Sequence, residues 1–169
     1  MSTENEILIN SSLVYGYYKP DSSQFDSEGA GKSYDICDVL NSKLLDYRLK
    51  KISYILNDKQ YIDKIKMEYI NKKDGTSKTL ETTTWEGLTD KMEEYELEDD
   101  EEINDIKIYL DNNTKLTGFE IMTNKGKNKL MGFGGDRETI SEKNVKNVVG
   151  FGFNSSKKFG VYCIYFYYI

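Results

Sequence analysis

From residue 50 onward, apolar and polar residues alternate with a period of two, and turn-forming residues interrupt the alternation about every ten positions. Such alternation is typical of antiparallel strands that bury one face. The alternating segments are residues 50–56, 61–70, 101–110 and 115–124, and the turns between them lie at 57–58, 73–75, 111–113, 125–127 and 132–136. Many short strands at this spacing predict an all-β sandwich, barrel or prism.

Composition agrees with an all-β chain and removes several functional classes. The chain has 169 residues, 14 of them Tyr and one Pro, which suits one domain rich in half-buried strands. Its net charge of −6 argues against nucleic acid as a partner and against an anionic membrane surface. The chain has no His, the commonest general acid or base and the commonest metal ligand. We therefore expect no enzyme, no metal site and no cofactor.

The first 26 residues are expected to form an arm outside the main domain, which would span residues 27–169. The stretch ILINSSLVYGYY favours an extra edge strand or a frayed terminus, and residues around the single Pro then interrupt it. A second interpretation is a docking segment for a protein partner that uses Tyr15, Tyr17 and Tyr18, since exposed tyrosines favour interfaces. Neither a signal peptide nor an apolar run of membrane-spanning length is present, which favours a cytoplasmic location or an intracellular assembly, without membrane insertion.

Three local expectations concern side-chain placement. In segment 61–70, the alternation puts Ile62 on the polar side with the lysines, and Ile65, Met67 and Tyr69 on the apolar side. The acidic run 98–102 lacks the ligand spacing of a calcium loop and is expected to be a solvated turn. Cys163 lies in an apolar run and is expected to be a buried thiol.

Five segments, taken in order, form a recognisable series. The first is a glycine-rich loop followed by an aromatic residue and Asp, here GAGKSYD from Gly29 to Asp35. The second is the hairpin YILNDKQYIDKIKMEYI, and the third is LEDDEEINDIKIYL. The last two are TGFEIMTNKGKNKLMGFGG and NVVGFGFNSSKKFGVYCIYFYYI. Together they cover about residues 27–168, and in this order they resemble the jacalin-related lectin domain.

The resemblance implies the β-prism I fold, with three four-stranded antiparallel Greek-key sheets around a pseudo-threefold axis. It also implies that the two ends of the domain meet in one sheet, with the loop at Gly29 and Gly31 beside the last loop. Sugar binding in this family uses a Gly-x-x-x-Asp pattern in the last loop. Residues 156–160 align with that pattern, with Ser156 in place of Gly and Gly160 in place of Asp.

The candidate carbohydrate-binding residues are those of the first and last loops. No acidic residue occurs from Asn154 to the end of the chain, so the usual acceptor for sugar hydroxyls is missing there. A second candidate site, in the family's equivalent turn of another sheet, keeps Asp63 of the pattern. The first set is Gly29, Gly31, Asn154, Ser155, Ser156, Lys157, Lys158, Phe159 and Gly160, and the second is Lys59, Gln60, Tyr61 and Asp63.

Two functions remain open at this point. The first is a carbohydrate-binding module with altered or weakened specificity, in which Lys157 and Lys158 would suit an anionic glycan. The second is a protein-interaction or structural module of a larger assembly, as an oligomer or complex subunit, that has the fold without sugar binding. The missing acid and the tyrosine-rich arm favour the second function.

Overall fold

A computed structural model describes residues 7–16, 32–57, 61–82, 92–111, 115–134, 137–140 and 147–169 except 157–159. These described residues contain twelve strands, one short helix and one 3-10 turn. The strands are β1 Asn10–Ser11, β2 Lys32–Asp35, β3 Tyr47–Leu56, β4 Ile62–Asn71, β5 Ser77–Glu81, β6 Glu93–Glu96, β7 Ile103–Leu110, β8 Leu116–Thr123, β9 Asn128–Gly132, β10 Arg137–Ile140, β11 Val148–Ser156 and β12 Gly160–Tyr168. Helix α1 is Ile36–Val39, and the 3-10 turn is Leu44–Asp46. Within these residues, no helix is long and apolar enough to cross a membrane.

The strands form three antiparallel groups of four, each built on a long central hairpin. The first group has the order β6-β3-β4-β5 and the second has the order β10-β7-β8-β9. In both groups the fourth strand returns beside the first, which is a Greek key. The third group, β2-β11-β12-β1, has the same order, but two of its strands come from the beginning of the chain and two from its end. The predicted all-β, three-sheet architecture is therefore confirmed, and the two ends of the domain share one sheet.

The three central hairpins have the same register, including two bulges each. The first bulge skips Lys50 in β3, Asn104 in β7 and Val149 in β11. The second skips Asp63, Thr117 and Tyr162 on the returning strands β4, β8 and β12. Equal spacing of both bulges makes the hairpins equivalent around the pseudo-threefold axis, so a position in one hairpin defines its counterparts in the others.

The core lies between the three sheets and is filled by one face of each. Three aromatic rings meet at its centre: Phe119 lies 5.9 Å from Phe151, and Phe151 is stacked 6.2 Å from Phe153. These side chains are fully buried. Such packing fixes the long hairpins rigidly, so that they can present loops at their ends.

The structure corrects two local expectations and confirms a third. Ile62 is fully buried, and its predicted place on the polar side is wrong, because the bulge at Asp63 shifts the alternation by one residue. The acidic run forms the predicted turn, but Glu101 is buried and accepts hydrogen bonds from Tyr95 at 2.8 Å and Thr123 at 2.7 Å. Cys163 is a buried free thiol, as predicted.

Candidate functional site

The three hairpin turns, at residues 57–61, 111–115 and 156–160, lie at equivalent places and define what we call the loop end of the molecule. Two of the turns are closed in the same way. The Asn57 side chain accepts from the backbone N–H of Tyr61 at 3.1 Å, and Asp111 accepts from that of Lys115 at 3.0 Å. The Tyr61 hydroxyl donates to the Asp111 carboxylate, which joins these two turns side by side.

The strand that follows the glycine-rich first loop lies beside the last hairpin. Lys32 pairs with Ser155, and Ser33 pairs with Asn154. Gly29 and Gly31 fall outside the described residues, but the chain re-enters the described structure next to the last loop. The Lys32 ammonium lies 5.3 Å from the centre of the Tyr34 ring, a cation–π arrangement that holds one positive charge at this edge.

The described part of the last loop offers neutral polar groups. Ser155 and Ser156 are fully buried, and Asn154 is half-buried. The side-chain oxygen of Asn154 is buried and accepts no hydrogen bond from the described residues. Lys157, Lys158 and Phe159, the tip of the predicted site, lie outside the described residues.

Gly160 packs directly against the neighbouring sheet. Its φ is +69°, and a Cβ there would collide with the carbonyl oxygen of Ile62 and lie 3.1 Å from the Cα of Asp63. The last loop and the second candidate turn therefore touch at Gly160 and Asp63. A side chain at position 160 has no room to reach a ligand, so Gly160 can contribute only backbone atoms.

The second candidate turn is largely occupied by contacts within the protein. Asp63 is 1% exposed, and Tyr61 is engaged with Asp111. Burial, together with the hydrogen bond to the Asp111 carboxylate, raises the pKa of Tyr61 to about 12. Lys59 and Gln60 lie outside the described residues, so the second site stays a prediction.

The register of the hairpins shows that the two candidate sites, residues 156–160 and 59–63, do not occupy equivalent positions. Asp63 is the bulge residue of its hairpin, and the equivalent bulge residue of the last hairpin is Tyr162 rather than Gly160. By internal symmetry, Lys59 to Asp63 corresponds to Lys158 to Tyr162. In either frame the last hairpin has no carboxylate.

Asp35 is the last residue of the motif GAGKSYD, and the sequence assigns it no role of its own, yet it anchors the base of the loop end. One oxygen of its carboxylate accepts from the hydroxyls of Tyr165 and Tyr167, each at 2.6 Å. The other accepts from the backbone N–H of Cys37 at 2.8 Å and so caps helix α1. Burial, followed by these hydrogen bonds, raises the pKa of both tyrosines well above the ordinary value. The sequence signals the capping role of Asp35 only by placing a turn-forming Asp before an apolar residue.

The arm supplies β1, which is the fourth strand of the third group and lies at its edge. Asn10 and Ser11 pair with β12, and the half-buried Tyr15 forms a bridge with Ile164 and stacks 6.3 Å from Phe166. Tyr17 and Tyr18 lie outside the described residues, so partner binding by the three tyrosines stays a prediction. Four apolar side chains of the arm are strongly exposed: Ile7, Leu8, Leu13 and Val14.

The described residues contain no group of three or more acidic or cysteine side chains placed to hold a metal ion.

The model of the jacalin-like lectin domain matches residues 22–162. The chain belongs to this family. No curated protein sequence matches the chain significantly.

Solved jacalin-related lectins share the fold at low sequence identity. Malaysian banana lectin is 15% identical, with a TM-score of 0.66, and the match covers 95% of this chain and 97% of the lectin. Calsepa lectin, solved with a bisected glycan, is 17% identical, with a TM-score of 0.68 and the same coverage. A mannose-specific lectin from Morus nigra, solved with mannose, is 16% identical, with a TM-score of 0.60 and 99% coverage of both chains. This chain thus has the β-prism fold of a family of carbohydrate-binding modules.

Proposed function

We propose that this jacalin-like domain is a non-enzymatic carbohydrate-binding module whose loop-end site takes an anionic glycan. The observation that carries the proposal is the pairing of Lys32 with Ser155. This pairing brings Lys32 to the base of the last loop, where Ser155 precedes Lys157 by two positions in the sequence. Calsepa and the Morus nigra lectin were solved with carbohydrate ligands, which supports a glycan as the ligand class.

The charge at this edge decides between neutral and anionic ligands. Neutral sugar hydroxyls gain most from a carboxylate acceptor, and the last hairpin has none. A sulfate or carboxylate on the glycan instead needs donors and positive charge, which Lys32, Lys157 and Lys158 carry. Residues 154–160 include two lysines and no acidic residue, so the basic edge is a local feature that attracts an anion despite the net charge of −6.

A glycan array tests the proposal. We expect sulfated or carboxylated glycans to bind and their neutral counterparts to be weak. The Lys157→Ala/Lys158→Ala variant should weaken binding by about tenfold or more, because a hydrogen bond to a charged group contributes about 1.5–3 kcal/mol. Lys78→Ala, an exposed residue on β5, is the matched control. No binding to any glycan, or a preference for neutral ones, would contradict the proposal.

A protein-interaction module is the second candidate function, and the arm favours it. Leu8, Leu13 and Val14 flank the edge strand β1 and are 72%, 70% and 60% exposed, which is unusual for three large apolar side chains in one short segment. In this role the fold would present the arm to a protein partner or to a second copy of the chain.

Replacing Leu13 and Val14 together by Ser tests this second function. If the arm is an interface, the variant loses self-association in sedimentation or loses a co-purifying partner, while its unfolding midpoint stays close to that of the unmodified chain. Leu130→Ser, at an exposed position on β9, is the control. An unchanged assembly state in the double variant would rule out these side chains as an interface.

A further inference from the structure

A cavity lies at the end of the molecule opposite the loop end, where the central strands β3, β7 and β11 begin. Its volume is about 110 Å³. A water molecule needs roughly 10–15 Å³ measured in the same way, so the cavity has room for a sugar ring. We call this place the cavity end.

The floor of the cavity is built from one position repeated three times. Leu49, Ile103 and Val148 are equivalent in the register of the three hairpins, and all three are buried. Val148 and Ile103 also pair directly, which closes the floor between two sheets. The floor is therefore an apolar surface against which the C–H face of a ring can pack.

The rim carries both donors and acceptors. The residues that precede the floor positions, Arg48, Glu102 and Asn147, are the three equivalent rim positions and differ in chemistry. Lys72 and Asp99 complete the polar rim. A ligand with neighbouring hydroxyl groups can accept from Arg48 and Asn147 and donate to Glu102.

Arg48 has an unused donor. Its Nη2 atom donates to Asp99 at 2.7 Å, but its Nη1 atom is buried and has no hydrogen-bond partner in the described part of the chain. A buried donor without an acceptor costs about 1–3 kcal/mol. The Asp99 side chain is 94% exposed, so the ion pair is weak and allows the guanidinium to turn toward an acceptor in the cavity.

The charge of the lining disfavours an anionic ligand. The cavity is lined by two basic residues, Arg48 and Lys72, and by four acidic ones, Asp99, Asp100, Glu101 and Glu102. Anions are therefore repelled overall. We infer that the cavity end is a second saccharide site, which takes a neutral sugar through Arg48, Glu102 and the apolar floor. This inference does not depend on the loop-end site.

Methyl-resolved NMR of the full chain, titrated with the neutral methyl glycosides of glucose, mannose and galactose, tests the inference. We expect saturable shifts of the Leu49, Ile103 and Val148 methyl signals with at least one of them. Arg48→Met should weaken that binding about tenfold, whereas Lys78→Met should not change it. If Arg48→Met does not fold, Glu102→Gln, at an exposed side chain, replaces it and should weaken binding about threefold.

Three results would overturn the inference. One is the absence of floor methyl shifts with every neutral glycoside. Another is tighter binding of methyl glucuronide, an anion, than of methyl glucoside. The third is a response that survives Arg48→Met but vanishes in the Lys157→Ala/Lys158→Ala variant, because the sugar would then bind only at the loop end. A negative result on the glycan array would concern only the loop-end site and would not change the NMR result at the cavity end. Failure of one proposal can therefore be distinguished from failure of the other.

Discussion

At the residue scale, Asp35 shows how one carboxylate organises the base of the loop end. It connects strand β2, helix α1 and strand β12 through three hydrogen bonds, so it ties the first part of the domain to the last. The strand that carries Lys32 is held beside β11 by this connection. The sequence marks Asp35 as a helix N-cap at most, because its tyrosine partners lie 130 and 132 positions away.

Asp35→Ala is expected to lower the free energy of unfolding by about 1–3 kcal/mol, since it leaves two tyrosine hydroxyls and one backbone N–H without their acceptor. Urea denaturation measures the loss. Asp38→Ala is the matched control, because Asp38 is an exposed acid in the first turn of the same helix. Equal destabilisation by the two substitutions would show that the hydrogen bonds of Asp35 contribute nothing measurable to the free energy of unfolding.

The tyrosines predict a loss of stability in alkali. Burial followed by hydrogen bonds to carboxylates raises the pKa of Tyr61 and Tyr95 to about 12, and raises that of Tyr165 and Tyr167 further. A tyrosine whose pKa is raised by folding contributes its full stabilisation below the ordinary pKa of about 10. This stabilisation is lost as the pH rises from that value through the raised pKa. Tyrosinate absorbance and far-ultraviolet circular dichroism, followed together, should show these phenols ionising with unfolding. Complete ionisation of all tyrosines near pH 10 in the folded protein would contradict the assignment.

At the element scale, the long strands could be predicted and their registers could not. The alternating segments KISYIL and KLTGFEIMTN fall largely in the long strands β3 and β8, although burial extends to both faces along part of each strand. The bulge at Asp63 comes from pairing between strands that no local pattern records, and it is what buries Ile62. The short strands β5 and β6 consist mainly of exposed residues, so their alternation is too weak to identify them.

Gly160 provides a test of the hairpin geometry. Introducing an acid by Gly160→Asp should destabilise the domain by about 1–3 kcal/mol beyond the cost of the positive φ, because the new Cβ collides with the Ile62 backbone. Gly75→Asp is the control, since Gly75 has a φ of +74° and open space around it. Thermal unfolding compares the two. If the Gly160→Asp variant is as stable as the Gly75→Asp variant, or if it gains mannose binding, then a side chain at position 160 does not collide with the Ile62 backbone as described.

At the scale of the whole molecule, the fold was predictable and the ligand was not. Strand spacing and the five ordered motifs indicate the prism, and the structure and the family match confirm it. The site depends on juxtapositions between distant parts of the chain, such as Lys32 with Ser155 and Gly160 with Ile62. The resemblance implies that the first loop lies beside the last loop, but these residue pairs depend on strand register, which the sequence does not show. Substitutions in the last loop remove the one pattern that would indicate a sugar ligand.

The most direct test of the central claim is a calorimetric titration of the full chain with one sulfated oligosaccharide and its desulfated counterpart, each at low and at high salt. We predict that the sulfated form binds, that its affinity falls with salt because the lysines supply charge, and that the desulfated form is much weaker. Lys157→Ala/Lys158→Ala should remove most of the salt dependence. Equal affinity for both oligosaccharides, unchanged by salt or by the lysine variant, would contradict an anionic-glycan site at the loop end.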